Sequence, residues 1–267
     1  MAASTDARRN HLLAALPGAL LQHWLPQLER VDLPLGRVLQ ESGDPRSHVW
    51  FPTTAVVSVL NATKDGASTE IAVVGNEGVV GVPLFTGGDS SGRRAVVRSA
   101  GEGLRMKART IDEEFDRAGP ALPLLLRHSQ ALVTQIAQTA VCNRHHGLDQ
   151  QLCRWLLMSL DRVQASDLVV THELIAHLLG VRREGVTESA ARLHKLGLIR
   201  YARGHVRVLD RKGLEERACE CYRVLKSEHQ RLLPESCRAT STTADLAGER
   251  GRVACVRQRT ELSPSRA

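Results

Sequence analysis

The stretch from Thr171 to Gly197 restricts the fold more than any other part of the chain, because its residue order fits two short helices joined by a tight turn. Thr171 is a preferred N-cap residue and precedes a helix predicted over residues 172–179. Gly180 permits a left-handed turn, and a second helix is predicted over about residues 182–197. The residues between the helices are small or apolar, as a close crossing requires: Ile175, Ala176, Leu179, Val181 and Val186. This pattern is the signature of a helix-turn-helix motif.

A predicted β-hairpin follows the second helix directly. Residues 198–201 and 205–209 form its two strands, and the turn between them is Ala202-Arg203-Gly204. A hairpin in this position is a wing, which favours a helix-turn-helix over a chance match by an ordinary helical hairpin. Side chains suited to phosphate oxygens lie on the wing and at the first helix start: Thr171, Arg200, Arg203 and Arg207. A solvated charged face remains the alternative for the arginines.

The first turns of the second helix carry the candidate base-reading side chains, because that end of the helix meets base edges in this motif. Arginine can form two hydrogen bonds to guanine, and glutamate can accept one from the cytosine amino group. Threonine can contact a thymine methyl group or a phosphate. The candidates are Arg182, Arg183, Glu184, Thr187 and Glu188.

The net charge of +7 is unevenly distributed along the chain. Residues 171–213 contain nine basic and four acidic residues, whereas residues 1–120 contain 13 basic and 14 acidic ones. A localised basic segment favours nucleic acid as the partner. The chain has only eight aromatic residues, which argues against a stacking platform for single strands. Double-stranded DNA is therefore the expected partner.

The chain before this motif divides into a strand-rich region and a long helix. Short apolar runs broken by turn residues cover residues 31–118 and predict a β-barrel or sandwich, with Lys64-Asp65-Gly66 as a hairpin turn. Residues 119–143 then place apolar residues at steps of three and four, and Arg127 is their only charged residue. Such a helix needs to bury a second face, either against its own copy in a homodimer or within one chain. The candidate dimer residues are Leu125, Leu132, Val133, Ile136 and Ala140.

The two ends of the chain give weaker signals. Residues 1–30 are predicted to form short packing helices rather than a signal peptide, because Pro17-Gly18 interrupts the apolar run. No run of about 20 apolar residues predicts a membrane span, so a cytoplasmic protein without membrane contact is expected. Residues 234–267 are rich in Ser, Thr and Arg and are predicted to be a disordered tail.

A β-rich domain, a long helix and a winged helix-turn-helix together resemble the Crp/Fnr superfamily of bacterial transcription regulators over about residues 11–233. The resemblance is most specific from Ile175 to Val186 and continues through Leu196-Gly197-Leu198-Ile199. The resemblance implies an α+β fold with these segments: an N-terminal jelly-roll-like β-barrel as a cyclic-nucleotide-binding-like sensor at 31–118, a dimerisation helix at 119–143, and a winged helix-turn-helix domain with a trailing helix at 144–233.

The resemblance also bears on base reading. The Arg-Glu pair by which family members read bases maps onto Arg183 and Glu184. A second arginine of the cyclic-AMP-responding members maps onto Glu188, so their operator sequence does not carry over.

The positions that match the family's cyclic AMP pocket depart from its pattern. Gly81 and Val82 align with a Gly-Glu pair that holds the ribose, and Arg93 and Arg94 align with an Arg-Ser pair that holds the cyclic phosphate. Valine cannot accept a hydrogen bond, and a buried unpaired hydroxyl costs about 1–3 kcal/mol. Cyclic AMP is therefore not expected to bind, no cofactor is predicted, and any small-molecule effector stays unidentified.

The six cysteines are too few and too irregularly spaced for a disulfide framework. Cys142 and His146 have an i, i+4 spacing that could share a metal ion, but no second pair has that spacing, so no metal site is predicted. Cys219-Glu220-Cys221-Tyr222 follows the wing and resembles a sub-branch of the superfamily.

Taken together, the sequence predicts a transcription regulator that binds an inverted repeat as a homodimer and contacts RNA polymerase. The alternative is a cyclic-nucleotide-type receptor that acts mainly through protein contacts, which the localised basic segment disfavours. The sequence contains neither an HExxH motif nor a phosphate-cradling loop, and no enzyme is predicted.

Overall fold

The computed structural model describes residues 2–64, 67–82, 93–163, 167–202 and 204–232, with side chains from residue 5 onward. The predicted tail at 234–267, Arg203 of the wing, and Asp65 and Gly66 of the predicted hairpin turn lie outside these residues.

Short helices begin the chain, as expected, and one polar side chain attaches them to the following sheets. They are α1 (Ala2–Arg8), α2 (His11–Ala14), α3 (Gly18–Trp24) and a 3-10 turn at Leu25–Gln27. Asn10 caps α2, because its Oδ1 accepts a hydrogen bond from Leu13 N. Its Nδ2 donates to the carbonyls of Pro52 (2.9 Å) and Gly78 (2.8 Å) in the sheet region.

In the described part of residues 29–107, seven strands form two antiparallel sheets. They are β1 (Glu29–Leu33), β2 (Val38–Gln40), β3 (His48–Pro52), β4 (Val56–Ala62), β5 (Ser68–Val74), β6 (Arg93–Ser99) and β7 (Gly101–Lys107). The strand orders are β1-β7-β3 and β2-β6-β4-β5. Apolar side chains from both sheets pack into one core between them, including Leu33, Trp50, Val57, Val74 and Val97. We refer to this part as the β-roll.

Three helices lead away from the β-roll: α4 (Ala108–Asp116), α5 (Leu122–His145) and α6 (Leu148–Leu160). α5 matches the long helix predicted from the three- and four-residue apolar steps. α6 is buried from Gln151 to Ser159 without a break. A helix buried on all sides must have neighbours around its whole circumference.

The remaining elements form the winged helix-turn-helix. They are β8 (Asp167–Val169), α7 (His172–Leu179), α8 (Arg183–Lys195), β9 (Ile199–Ala202), β10 (His205–Val208), α9 (Arg211–Arg217) and α10 (Glu220–Leu232). The wing is a three-stranded sheet in the order β8-β10-β9, one strand more than the sequence predicts. The predicted α+β fold, with a β-roll, a long helix and a C-terminal winged helix-turn-helix, is confirmed.

One hydrophobic core joins the β-roll to the winged helix-turn-helix. Val56, Leu60 and Val73 of the β-roll belong to the same buried cluster as Leu156 of α6 and Ile175 of α7. The predicted boundary at residues 143 and 144 therefore falls at the end of a helix and not at a gap in packing.

Two largely buried arginine side chains make contacts across the same junction. Arg98 of β6 donates to both carboxylate oxygens of Glu70 (3.0 Å each) and to Ser159 Oγ on α6 (3.1 Å). Arg162, just after α6, donates from Nε to Glu77 Oε1 at 2.6 Å. Breaking a buried pair leaves an uncompensated charge, so the Glu77–Arg162 pair holds the end of α6 against the β-roll. Arg98 holds α6 through its hydrogen bond to Ser159.

None of the helices formed by the described residues has the length and apolar character that crossing a bilayer requires.

The Glu77–Arg162 pair predicts how stability changes in acid. Burial is the largest single influence and opposes ionisation of Glu77. The charges of Arg162 and His229 and two backbone hydrogen bonds together outweigh it and lower the pKa of Glu77 from 4.5 to about 2. The unfolded chain therefore takes up this proton near pH 4.5 and the folded chain only near pH 2. The stabilisation is complete above about pH 5 and is lost as the pH falls towards 2. Glu77→Gln should cost about 3 kcal/mol of unfolding free energy at pH 7 and clearly less at pH 3, measured by urea denaturation.

Glu41→Gln is the matched control, because Glu41 pairs with Arg94 at 3.0 Å on the surface, where both side chains are more than 40% exposed. It should change stability by less than about 1 kcal/mol at either pH. An equal loss in both variants, or a Glu77→Gln loss that does not shrink in acid, contradicts the assignment.

Candidate nucleic-acid interface

The turn between α7 and α8 has the geometry that its residues predict. Thr171 Oγ1 accepts a hydrogen bond from Leu174 N at 3.1 Å and caps α7. Gly180 lies in the left-handed region at φ 68°, and Val181 N then donates to the Ala176 carbonyl at 3.0 Å. The apolar residues that the sequence places between the two helices are buried or partly buried: Ile175, Ala176, Leu179, Val181 and Val186. The helix-turn-helix is therefore present.

The candidate base-reading residues share one exposed face at the start of α8. Arg182 is the N-cap residue, and all five candidates are exposed. The opposite face is buried through Val186, Ser189, Ala190 and Leu193. Among the described residues, none forms an ion pair with Arg182 or Arg183. Both guanidinium groups are therefore presented to solvent at the positively polarised end of the helix.

Two of the five candidates have internal partners. Thr187 Oγ1 donates to the Arg183 carbonyl at 3.0 Å, and a second hydrogen bond joins it to His172 Nδ1 at 3.1 Å. Glu188 lies 3.9 Å from Arg192, which also donates three hydrogen bonds to the carboxylate of Asp149 on α6. Arg192 thus fixes α8 to α6. The hydroxyl of Thr187 is already bonded to the backbone of its own helix.

A stacked ring pair that the sequence did not reveal supports the base of α8. The rings of His172 and Tyr201 lie 4.0 Å apart at 25°. Burial and the charge of Arg183 lower the pKa of His172, which keeps its ring neutral near pH 7. Because Tyr201 is on β9, the stack links the wing to both helices. No spacing rule connects the two residues, so only the fold shows the contact.

The wing places its charges in one row across three strands. Arg200 of β9 lies opposite Arg207 of β10, and Arg207 lies opposite Asp167 of β8. Arg207 forms two hydrogen bonds with the Asp167 carboxylate, at 2.7 and 2.6 Å. Arg200 forms no ion pair with another described residue. Of the predicted phosphate contacts on the wing, Arg200 is thus free of ion pairs with described residues. Arg207 must first leave Asp167 before it can contact a phosphate. Arg203 lies outside the described residues.

The four residues aligned with a cyclic nucleotide pocket are engaged in other contacts or buried. Gly81 has φ +91°, and its carbonyl accepts a hydrogen bond from Arg46 at 3.0 Å. Val82 is buried in the core beside α4 and α5. Arg94 pairs with Glu41 across the surface, and burial lowers the pKa of its neighbour Arg93. No hydrogen bond among the described residues joins Arg94 to Gly81 or Val82.

The predicted dimer residues of α5 do not all face the same way. Leu125 is 0% exposed and packs inside its own chain, so it cannot be offered to a partner. The sequence pattern missed this because the inward face of α5 is largely polar, formed by His128, Ser129, Gln135 and Thr139. Leu132 packs partly against the core of the β-roll. Val133, Ile136 and Ala140 stay at least partly exposed.

One group of reactive side chains comes together that the sequence did not connect. Cys142 and His146 at the end of α5 meet Cys219 and Cys221, and their ligand atoms all lie within 4.8 Å of one another. The missing second pair of ligands thus comes from beyond the wing, at a spacing that only the fold reveals.

Residues 150–217 match the Crp-like helix-turn-helix domain family, which covers α6 to α9. No curated protein sequence matches the chain.

Solved structures match over most of the chain at low sequence identity. FixK2 from Bradyrhizobium japonicum is 14% identical, with a TM-score of 0.63 over 72% of this chain and 98% of that one. The c-di-GMP responsive global regulator CLP of Xanthomonas campestris is 17% identical, with a TM-score of 0.59 over 73% and 100%. A transcriptional regulator of the CRP family from Thermus thermophilus is 22% identical, with a TM-score of 0.58 over 71% and 96%. At these identities the likeness establishes the fold.

The cap at Thr171 can be tested apart from any ligand. Thr171→Ala removes the acceptor for Leu174 N and should lower the unfolding free energy by about 1 kcal/mol, measured by urea denaturation. Thr171→Ser keeps the oxygen and should stay within a few tenths of a kcal/mol of the parent chain. Equal stability of the alanine and serine variants would show that the hydroxyl does not cap the helix.

Proposed function

The chain carries a Crp-like helix-turn-helix domain on a Crp/Fnr fold, and we propose that it is a sequence-specific transcription regulator that binds double-stranded DNA as a homodimer. The observation that carries the proposal is the exposed start of α8, where Arg182, Arg183 and Glu184 face solvent. Arg200 of the wing adds a further arginine without an ion-pair partner among the described residues.

In the proposed complex, the first turns of α8 enter the major groove. Arg183 is placed to bond guanine and Glu184 to accept from cytosine, while Arg200 bonds a phosphate oxygen. Arg207 joins the phosphate contacts only when it leaves Asp167, and Thr171 retains its hydroxyl proton for a phosphate. The exposed glutamates argue for sequence reading, because a purely electrostatic surface would gain nothing from them.

The outward face of α5 supports the homodimer. Leu126 is 51% exposed, and Val133 and Ala140 follow it at seven-residue steps on the same side of the helix. Val141 beside them is 46% exposed. A stripe of this kind packs against its own copy in a two-helix interface. Two α8 helices held in this way would meet half-sites of an inverted repeat about 34 Å apart.

A contact between the β-roll and α7 offers a route from sensor to DNA. Ser68 Oγ and His177 Nε2 are hydrogen-bonded at 2.7 Å, and a Cβ at Gly180 would lie 2.6 Å from Thr69 Oγ1. The turn of the motif therefore rests on β5. We propose that an effector would shift the balance between DNA-competent and incompetent arrangements through this contact. The regulator would act on RNA polymerase in the cytoplasm.

No effector is assigned to the β-roll. Val82 offers no acceptor where a ribose would need one, and the partner of Arg94 is Glu41. Both features argue against cyclic AMP. The match to a c-di-GMP responsive regulator concerns the fold and does not transfer that ligand.

DNA reading can be separated from charge attraction by two arginine substitutions. A duplex site is first selected from a randomised library, and its affinity is compared with that of a scrambled duplex at several salt concentrations. Arg183→Ala should weaken binding to the selected site by about 1–3 kcal/mol, roughly 5- to 150-fold, with little effect on the scrambled duplex. Arg200→Ala should weaken both alike and reduce the salt slope by about 1.

Arg109→Ala is the matched control, because Arg109 is exposed on α4 and pairs only with Glu113 of its own helix among the described residues. It should leave both affinities unchanged. Selection that yields no preferred site, or an Arg183→Ala variant with full preference, contradicts the proposed function.

The dimer face predicts opposite results for two adjacent positions on α5. Leu126→Asp places a carboxylate on the exposed apolar stripe and should turn the dimer into a monomer in sedimentation analysis. Arg127→Asp places the same group about 100° around the helix, where Arg127 is exposed, and should leave the dimer intact. Circular dichroism checks that both variants fold. A monomeric parent chain, or equal behaviour of the two variants, would exclude this face.

A further inference from the structure

Four potential metal ligands meet where the long helix ends. Cys142 lies in the last turn of α5 and His146 directly after it. Cys219 lies between α9 and α10, and Cys221 lies in the first turn of α10. All three cysteines are buried and His146 is partly buried. The group therefore joins two segments that are far apart in the chain and shields its sulfur atoms from solvent.

The spacing of the ligand atoms suits one tetrahedral ion. With metal–sulfur bonds of about 2.3 Å and metal–nitrogen bonds of about 2.0–2.1 Å, a tetrahedron has sulfur–sulfur edges of about 3.8 Å and sulfur–nitrogen edges of about 3.6 Å. The observed separations are 3.6 Å between the sulfurs of Cys142 and Cys219, and 3.4 Å between Cys221 Sγ and His146 Nδ1. Small adjustments would place all four atoms around a common centre.

Neighbouring side chains orient the ligands as they do around known metal ions. His146 turns Nδ1 towards the sulfurs while its Nε2 lies 3.2 Å from Glu220 Oε1. A carboxylate that accepts the second ring N–H fixes both the tautomer and the ring direction of a metal-binding histidine. Gln138 Nε2 donates to Cys221 Sγ at 3.0 Å. These contacts prepare nitrogen and sulfur lone pairs for a cation.

The buried positive charge of a neighbouring arginine also favours a metal ion bound by three thiolates. Arg154 is only 4% exposed, and its Nε has no hydrogen-bond partner among the described residues. Its one hydrogen bond to a described residue goes to Thr139 Oγ1, at 3.2 Å. A buried guanidinium without a carboxylate is costly. Three thiolates around a divalent ion carry one net negative charge, which would offset Arg154.

We propose that Cys142, His146, Cys219 and Cys221 form a Cys3His site for one divalent metal ion, with zinc as the ion that this donor set prefers. Four protein ligands leave no open position, which is the mark of a structural site. The ion would tie the end of α5 to the start of α10. Because His146 also begins the joint between α5 and α6, the ion would fix the angle at which α5 leaves the winged helix-turn-helix.

Metal analysis of the full chain, purified under reducing conditions without added zinc, is the first test. We expect about one zinc ion per chain by mass spectrometry of the elements. Cys219→Ser and Cys221→Ser should lose the ion at least tenfold more readily to a chelator. Cys153→Ala is the control, because Cys153 is equally buried in α6 but does not belong to the group, and it should retain the ion.

Cobalt substitution tests the proposed metal site even if the serine variants fail to fold. Apo chain that is titrated with Co²⁺ should develop thiolate-to-cobalt charge-transfer absorption and the intense visible bands of a tetrahedral site, and both should saturate at one equivalent. Absence of these bands overturns the proposal. Iron with inorganic sulfide in the purified chain would overturn the single-ion site, and a Cys142–Cys219 disulfide without metal would assign the pair to redox chemistry.

Glu220, which positions the ring of His146, provides a further test of the metal site. Glu220→Gln should weaken metal binding about tenfold or more, because a neutral amide oxygen replaces the carboxylate that accepts the ring N–H of His146. Glu228→Gln, on the same helix and paired with Arg231, should have no effect. Equal affinities in the two variants would overturn the role assigned to Glu220. None of these measurements involves DNA, so their failure leaves the proposed function intact.

Discussion

The complete burial of α6 is the constraint on which the rest of the structure depends. From Gln151 to Ser159 every residue is buried, so the β-roll, the long helix and the winged helix-turn-helix must all pack against α6. Burying an apolar side chain is worth about 1.5–3 kcal/mol. The hydrogen bond from Arg98 to Ser159 and the Glu77–Arg162 ion pair attach α6 to the sheets. The β-roll and the winged helix-turn-helix thus share their stability.

In the proposed regulator, this shared core determines how a signal would reach α8. Asp149 of α6 holds Arg192 of α8, and β5 supports the turn before α8. In the proposed regulator, a change in the β-roll would therefore reach α8 by moving α6 or by releasing α7. The proposed metal site sits at the third attachment, where α5 and α10 meet.

Local chemistry made the recognition motif predictable. Thr171 and Gly180 specify a cap and a turn through their own backbone preferences, so α7, α8 and the hairpin were predicted close to their observed bounds. Pairings between distant segments were not predictable: the Asp167 partner of Arg207, the stack of His172 on Tyr201, and the meeting of Cys142 with Cys219. Leu125 failed as a dimer residue because periodicity shows that a helix has an apolar side but not which neighbour covers it.

A hydroxyl-radical footprint of the parent chain on its selected duplex tests most directly whether two α8 helices read DNA as a symmetric pair. We expect two protected patches related by a two-fold axis, one helical turn or about 34 Å apart, which fade together as salt rises. A single asymmetric patch, or protection that spreads evenly along any duplex, would contradict the symmetric pair.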